Sequence, residues 1–301
     1  MRHNGFAFAL AFASVLGALF VAACSAAGRV EVVTTTVQVA ALAREVTKGT
    51  PVQVLSLVGP GVDPHEYEVS PGDVQQVGAA KLVLRSGIGL DAFLDRALTS
   101  SGQKRVATVT EGIKLRQIRT EQGKTEDDPH VWHDPANDRV MVENIVKALG
   151  ATFPEQAATF QKNGSTYAAK LDATDAQIRQ IIGAIPAANR KMVTDHDAFG
   201  YFLDRYGLPF VGAVIPNVST QGDTSAKQIA ELQDTVKREG VKAIFSEESV
   251  DPRIAREIAK DTNVQIVADL YGDSLGKPGS GQETVDGMLL YNARRIAEAL
   301  K

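Results

Sequence analysis

The sequence predicts an α/β protein with two lobes, each built around a parallel β-sheet, and one long helix that joins them. Short runs rich in β-branched residues alternate with amphipathic stretches before residue 110 and again after residue 190. This alternation is typical of parallel sheets that carry helices on both faces. Between the two blocks, residues 137–182 show almost no strand signal, so we expect helix there.

Composition narrows the class of protein. The chain has 301 residues, of which 44% are hydrophobic and 23% are charged, as expected of a folded protein with a sizeable core. Its net charge of −4 argues against nucleic-acid binding, which depends on neutralising phosphates. The single cysteine excludes an intramolecular disulfide, a cysteine-based zinc finger and a CxxC redox pair.

Five segments follow one another along the chain. The prediction places a signal peptide at 1–23, a short tether at 24–29, an N-terminal α/β lobe at 30–136, a helical linker at 137–188 and a C-terminal α/β lobe at 189–301. The two lobes are expected to be similar, because their patterns of strands and helices are similar. The sequence shows no repeat at a fixed short period.

The first 24 residues have the features of a targeting segment. Arg2 precedes the apolar run Phe6–Val21, which has the length of a signal-peptide core and is short for a membrane span. The run ends in Val21-Ala22-Ala23-Cys24, which resembles the lipobox of bacterial lipoproteins. The resemblance implies cleavage before Cys24 and lipid attachment to its sulfur, and the alternative is a single anchor helix. We therefore expect an extracytoplasmic protein anchored by lipid to a bacterial membrane, in the periplasm or at the outer face of the cell membrane.

The N-terminal lobe is predicted to contain four strands and three helices. Its strand-like runs are Val30–Thr36, Pro51–Val58, Lys81–Ser86 and Arg105–Val109. The helical stretches between them are Val37–Thr47, Pro71–Ala80 and Leu90–Thr99. Ser70 and Asp73 flank Pro71 at the spacing of a capping box, which favours a helix start there.

The middle of the chain predicts a long helix. Its apolar residues are spaced by seven, four, seven and four positions, so they share one helical face: Phe160, Tyr167, Leu171, Ile178 and Ile182. A helix opened by Pro154 and reaching Ile182 would be about 40 Å long and would act as a stiff connection. The segment Thr120–Asp128, in contrast, is polar and charged, and we expect an exposed loop.

The C-terminal lobe repeats the alternation. Its strand-like runs are Lys191–Thr194, Pro209–Ile215, Lys242–Ser246 and Gln265–Leu270. Its helical stretches are Asp197–Tyr206, Ser225–Glu239, Pro252–Asp261 and Thr284–Lys301.

Three histidines have similar surroundings. His65, His130 and His196 each lie beyond the end of a predicted strand, the edge at which open α/β sheets bind ligands. Carboxylates flank each one and can accept the second imidazole N–H, and neutral imidazole is a good zinc ligand. Asp273, after the last strand, is where a fourth ligand would be expected from the second lobe, although a turn aspartate or a helix cap would occupy the same kind of position.

Four motifs together resemble those of the metal-binding solute-binding lipoproteins of ABC importers. They are GVDPHEYE at 61–68, DPHVW at 128–132, HDAFGYF at 196–202 and YGDSL at 271–275, and the resemblance extends from about residue 30 to residue 301. It implies two α/β lobes joined by one long helix, with a metal ion in the cleft between them. The implied ligands are His65, His130, His196 and Asp273. The implied partners are an ABC permease and its ATPase, and we expect a monomer.

The resemblance favours zinc as the captured metal. Histidine at the position of His196 is similar to the zinc-binding members, whereas glutamate there is typical of manganese-binding members. Three imidazoles and one carboxylate also suit the nitrogen-rich tetrahedral coordination of Zn²⁺. Many zinc-binding members carry a histidine-rich loop before the second ligand, but this chain has TEQGKTEDD at 120–128. Mn²⁺ therefore stays open as the alternative ion.

Four other side chains are candidates to support the ligands: His133, Glu66, Asp197 and Glu247. His133 is otherwise a surface histidine, and Glu247 is otherwise a solvated strand end. The expected function is metal capture and delivery to the permease, without catalysis. One alternative is a zinc hydrolase with three ligands, an open coordination position and Glu66 or Asp197 as base. The other is a surface or adhesive lipoprotein whose fold is stabilised by metal.

Overall fold

The computed structural model describes residues 30–119, 124–222 and 224–301, and within these ranges it has the predicted two α/β lobes. The predicted signal peptide, Cys24 and the tether at 24–29 lie outside the described residues. Among the helices that the structure describes, none is both long enough and apolar enough to cross a bilayer.

The N-terminal lobe is built on a sheet of four parallel strands. These are β1 (Val32–Thr34), β2 (Val54–Ser56), β3 (Leu82–Arg85) and β4 (Val106–Thr108), in the order β2-β1-β3-β4. The connecting helices are α1 (Val37–Thr47), α2 (Pro71–Ala79) and α3 (Phe93–Ser101). The predicted capping box is present at the start of α2, where Ser70 and Asp73 exchange side-chain-to-backbone hydrogen bonds.

The predicted exposed loop at 120–128 is wrong at its C-terminal end. Thr125–Asp127 forms a strand, β6, that pairs antiparallel with β5 (Gln117–Arg119), and the Asp128 that follows is buried. Three-residue strands of mostly polar side chains have no apolar alternation, so the sequence gives no strand signal for them. Residues 120–123 lie outside the described part of the chain.

One long helix, α5 (Ala157–Gly183), connects the lobes and is about 40 Å long. The helix before it, α4 (Pro135–Thr152), packs along α5 and against α1 of the N-terminal lobe. The predicted start at Pro154 is correct to within a turn, because Pro154–Gln156 forms a 3₁₀ turn that leads into α5. All five residues of the predicted apolar face of α5 are buried.

The C-terminal lobe has a second parallel sheet with the same strand arrangement as the first. In chain order, its elements are β7 (Met192–Thr194), α6 (Gly200–Tyr206), β8 (Phe210–Ala213), α7 (Ala226–Glu239), β9 (Ala243–Glu247), α8 (Arg253–Thr262), β10 (Gln265–Leu270) and α9 (Val285–Leu300). The strand order is β10-β9-β7-β8. In each lobe, therefore, the first strand lies between the second and the third, and the fourth lies beyond the third.

One apolar core runs through both lobes and the connection between them. Val32 of β1, Phe160 of α5, Phe245 of β9 and Leu289 of α9 belong to the same buried cluster. Helix α5 packs against α1 of the N-terminal lobe and against α9 of the C-terminal lobe. This continuous packing positions the two sheets relative to each other, which in turn positions the loops that follow their strands.

Candidate metal centre

The candidate site lies where loops that follow strands of both lobes meet. His65 belongs to a 3₁₀ turn, Pro64–Glu66, after β2, and His130 precedes a similar turn after β6. His196 follows β7, and Asp273 follows β10. The candidate site thus consists of two histidines from the N-terminal lobe, and a histidine and an aspartate from the C-terminal lobe.

The four side chains are in direct contact. The Nε2 atoms of His65 and His130 are 3.3 Å apart. Oδ2 of Asp273 is 3.2 Å from His65 Nε2 and 3.1 Å from His196 Nε2. Oδ1 of Asp273 is 3.2 Å from His130 Nε2. The three Nε2 atoms and the carboxylate therefore converge on one small volume.

The cluster is closed to solvent on all but one side. His130, His196 and Asp273 are buried, and only the side chain of His65 is partly exposed, at 8%. His65 also borders a pocket of about 690 Å³ that is lined in addition by Glu126 and Asp127. His65 is therefore the member of the cluster that faces this pocket.

Carboxylates contact two of the three imidazole rings at Nδ1, on the side away from the cluster. Nδ1 of His130 lies 2.8 Å from Asp128 Oδ1, and Nδ1 of His196 lies 2.6 Å from Glu247 Oε1. The Asp128 hydrogen bond and the Glu247 ion pair place a proton on Nδ1 of each ring and direct Nε2 into the cluster. His65 is fixed through its backbone instead, because its N–H donates to Asp63 Oδ1 at 2.8 Å.

Glu247 is a buried residue and not a solvated strand end. Its Oε2 accepts the backbone N–H of Asp273 at 2.7 Å, so one carboxylate orients both a histidine and the aspartate of the cluster. The approach is close enough that a Cβ at residue 272 would collide with this carboxylate, which explains the glycine at that position. Glu247 thus lies directly beside the cluster.

Charges within the cluster shift its pKa values strongly. Burial lowers the pKa of His130, but the carboxylates of Asp273 and Asp128 more than offset it and raise the pKa to about 9. Burial also lowers the pKa of His196, which Glu247 and Asp273 hold well above its usual value. Burial raises the pKa of Asp273, yet the surrounding imidazoles keep it well below its usual range. Without a metal, His130 and His196 therefore hold a proton more tightly than a free imidazole does.

His133 is buried, so the alternative of a surface histidine does not apply. Its ring packs 4.7 Å from that of Phe199 and 5.9 Å from that of Trp132, centroid to centroid. Burial lowers its pKa to about 3, so it stays neutral. Its ring is not among the four groups that converge, although it lies in the next layer behind them.

Glu66 and Asp197 also lie outside the cluster. Glu66 is exposed to solvent. The Asp197 carboxylate is buried and faces Arg116, with Oδ1 at 3.7 Å from Nη1. Helix α6 starts at Gly200, three residues later than predicted, because the Asp197 N–H donates to the Asn217 carbonyl and keeps the preceding residues in a loop.

Sequence reasoning did not single out Asp128, the partner of His130. The available signal was its spacing, since it precedes the histidine by two residues across a proline. The same spacing places Asp63 before His65, but there the carboxylate binds backbone N–H rather than the ring. The spacing alone therefore does not identify which carboxylate orients an imidazole.

Comparisons with known proteins agree over nearly the whole chain. The model of a family described as ZnuA, zinc-uptake complex component A, periplasmic, matches residues 32–299. The manganese-binding lipoprotein MntA of Bacillus subtilis is 36% identical over 284 residues, covering 92% of each protein. The zinc-binding protein TroA of Treponema pallidum is 33% identical over 282 residues, covering 92% of this chain and 90% of TroA. A solved structure of periplasmic TroA superposes with a TM-score of 0.83 at 32% identity, covering 91% of this chain and 99% of that one.

Proposed function

The chain belongs to the ZnuA family of metal-binding substrate-binding proteins, and from this premise we propose that it captures Zn²⁺ outside the cytoplasm and delivers it to an ABC permease. The proposed ligands are His65, His130, His196 and Asp273. The protein is a binding component of a zinc or manganese ABC transporter and not an enzyme, as its family indicates.

The observation that carries this proposal is the spacing of the donor atoms. Ligands at the corners of a tetrahedron around zinc, with bonds of about 2.0 Å, are about 3.3 Å apart. The Nε2 atoms of His65 and His130 are 3.3 Å apart, and each of the three Nε2 atoms lies 3.1 to 3.2 Å from an oxygen of Asp273. A Zn²⁺ ion fits this arrangement with only small movements of the side chains.

Zinc is preferred over manganese because of the donor set. Three imidazole nitrogens and one carboxylate suit Zn²⁺, whereas Mn²⁺ favours oxygen ligands and more of them. The names of the relatives leave both ions available, since MntA is named for manganese and TroA for zinc. Mn²⁺ therefore remains the ion against which Zn²⁺ is to be tested.

Asp128 supports His130 through a hydrogen bond, and Glu247 supports His196 through an ion pair at 2.6 Å. Carboxylate partners of this kind fix the tautomer and increase the basicity of the metal-binding nitrogen. His133 and Asp197 contribute packing and charge around this layer, and Glu66 remains at the solvent-exposed edge of the His65 turn.

Closure of the site favours delivery over chemistry. Four protein ligands complete a tetrahedron and leave no position for an activated water, which a catalytic zinc site requires. A captured ion would instead be held until the cleft opens. A hydrolase would need one ligand, Asp273, to be absent from the coordination, and this carboxylate contacts all three imidazoles.

We place the protein at the outside of a bacterial membrane, anchored through a lipid on Cys24. The relatives named lipoproteins support this location, as does the lipobox-like sequence that ends at Cys24. The partners are an ABC permease and its ATPase, and the protein acts as a monomer. A purely adhesive or metal-stabilised role would leave zinc uptake unchanged when the protein is deleted.

The test of the site compares His65→Ala with Glu66→Ala. Loss of one of four ligands is expected to weaken Zn²⁺ binding by at least about 100-fold, more than loss of an orienting partner does. Glu66→Ala changes an exposed neighbour and is expected to leave the affinity unchanged. Competition with a chelator of known affinity measures both variants, and elemental analysis of protein purified without added metal identifies the ion. An unchanged affinity in His65→Ala would remove His65 from the site.

A further inference from the structure

Arg116 lies between the two lobes, next to the proposed metal site. It precedes β5 in the N-terminal lobe, and its Nη1 is 3.1 Å from Asp128 Oδ2 of the same lobe. Towards the C-terminal lobe, Nη1 is 3.7 Å from Asp197 Oδ1, and Nε donates to Asp204 Oδ2 at 3.2 Å. A single cation thus contacts carboxylates of both lobes.

These carboxylates adjoin the proposed ligands. The other oxygen of Asp128 bonds the Nδ1 of His130 at 2.8 Å. Asp197 is the residue after His196. In the N-terminal lobe, Arg116 therefore contacts the carboxylate that binds His130. In the C-terminal lobe, it contacts the carboxylate of the residue that follows His196.

The contact is packed as well as charged. The guanidinium lies on Gly200, the first residue of α6, and a Cβ at that position would collide with it. The Tyr201 hydroxyl accepts the N–H of Arg116 at 2.9 Å and donates to the Asp128 carbonyl at 3.1 Å. The side chain of Arg116 is only 22% exposed. Both its backbone and its side chain are therefore fixed against the opposite lobe.

We propose that Arg116 is a positioning residue that clamps the lobes together around the bound metal and slows its release. Opening the cleft separates Arg116 and Asp128 from Asp197, Gly200 and Asp204, and so breaks charge-assisted contacts that are partly shielded from water. The inference rests on the proposed function, because it requires a metal held by both lobes. Arg116 is not itself a proposed ligand, so its removal is expected to change mainly the rate at which the metal dissociates.

The experiment measures Zn²⁺ release from Arg116→Gln. Zinc-loaded protein is mixed with an excess of chelator, and the fluorescence of Trp132, whose ring centroid is 5.4 Å from that of His130, follows the release. Loss of a charge-assisted contact is expected to accelerate release about tenfold. The matched control is Arg139→Gln, because Arg139 forms an ion pair at 2.9 Å with Asp172, away from the site. Its release rate is expected to stay within about twofold of the wild type.

Two further variants test whether faster release comes from loss of the contacts made by Arg116 rather than from a general loss of stability. Gly200→Ala keeps every charge but displaces the guanidinium, and it is expected to accelerate release as well. Arg116→Lys keeps the charge without the planar fork and is expected to restore the slow release in part. The absorption spectrum of bound Co²⁺ is expected to be the same in Arg116→Gln as in the wild type, because the four ligands are retained. In His65→Ala, the spectrum is expected to change.

The outcomes distinguish this inference from the proposed function. Release rates of Arg116→Gln and Gly200→Ala that match the wild type would overturn the clamp and leave the metal site intact. An altered Co²⁺ spectrum in Arg116→Gln would also overturn it, since Arg116 would then determine the ligands themselves. A wild-type protein that takes up no Zn²⁺ would overturn the proposed function, and the clamp with it.

Discussion

Asp273 is the residue on which the chemistry of the site depends. Its two oxygens contact the Nε2 atoms of three histidines, and its position is fixed because its N–H donates to Glu247. In the metal-free protein, this negative charge raises the pKa values of His130 and His196. A divalent cation replaces the protons on these rings and satisfies the same carboxylate. Competition between protons and metal is therefore built into the site.

We predict that Zn²⁺ binding at pH 7 releases at least one proton. The pKa of His130 in the metal-free site is about 9, because Asp273 and Asp128 outweigh the effect of burial, so this ring is protonated at pH 7. Its Nε2 must lose that proton to bind metal, and the apparent affinity therefore rises as the pH increases from 6 to 9. Calorimetric titration in buffers of different ionisation enthalpy counts the protons. A count of zero at pH 7 would contradict metal binding by His130.

The same pKa shift predicts the pH dependence of metal-free stability. A histidine whose pKa is raised by folding adds stability that is fully present below its unfolded pKa of about 6.5, and this stability is lost as the pH rises through the folded value. For His130, the loss is expected between about pH 6.5 and 9. Denaturant unfolding of the metal-free protein across this range measures it. The zinc-bound protein is expected to show the opposite trend, because metal binding improves as the imidazole becomes neutral.

Glu247→Gln is expected to weaken Zn²⁺ binding by about 10- to 100-fold, since it removes the charge that supports His196. The Nδ1 of His196 is 2.6 Å from this carboxylate. Glu248→Gln is the matched control, because the neighbouring side chain is exposed and lies outside the cluster. Chelator competition compares the two variants. Equal affinities in both would mean that the Glu247 charge does not act on the metal.

At the scale of elements, the connection between the lobes depends on how closely α4 and α5 approach. Gly164 in α5 is buried, and a Cβ there would come within 2.5 Å of the Val146 Cγ2 on α4. Glycine costs about 1 kcal/mol relative to alanine inside a helix, so helix propensity alone argues against it at this position. The close packing of the two helices explains why it is present.

Gly164→Ala is expected to destabilise the protein by about 1 to 3 kcal/mol, because overpacking outweighs the gain in helix propensity. Gly183→Ala is the control, since nothing lies within 4 Å of a Cβ at that end of α5. The double variant Gly164→Ala/Val146→Ala is expected to recover part of the loss by making room. Urea unfolding of the metal-free protein measures all three. A stabilised Gly164→Ala protein would show that α4 and α5 can move apart at no cost.

At the scale of the whole molecule, two lobes with the same strand order bring the edges of their sheets to one site. Each lobe contributes two of the four clustered groups, and a single apolar core that includes α5 joins the lobes behind them. A bound ion would add a cross-link at the cleft to this packing. Folding and metal binding are therefore coupled, because the unfolded chain cannot bring the four groups together.

We predict that Zn²⁺ raises the melting temperature. A ligand at about 1,000 times its Kd stabilises the folded state by about 4 kcal/mol, which for a protein of this size corresponds to roughly 10 °C. Differential scanning calorimetry with and without Zn²⁺ measures the shift. Asp273→Asn is expected to lose most of it, because the charge shared by the three imidazoles is gone. An equal shift in that variant would locate the stabilising ion elsewhere.

Much of the fold and the identity of the family could be predicted from local sequence. The limits of α1 and β10, the buried face of α5 and the capping box at Ser70 agree with the structure, because each depends on residues within a few positions of one another. The family match confirms the predicted resemblance, which rests on short motifs around the three histidines and Asp273. Local patterns were sufficient wherever helix periodicity or strand alternation was strong.

The tertiary structure decided the features that depend on distant contacts. Only the fold brings Asp128, Glu247 and Arg116 to their partners, buries His133 and pairs β5 with β6. A sequence records which side chains are available, but not the distances between them, whether two residues are two positions apart, as Asp128 and His130 are, or far apart, as Arg116 and Asp197 are. Those distances are fixed when the lobes pack on one core, because close packing allows few alternative arrangements. The amino-acid sequence therefore determined the ligand types, and the packing of the lobes determined how they are oriented and enclosed.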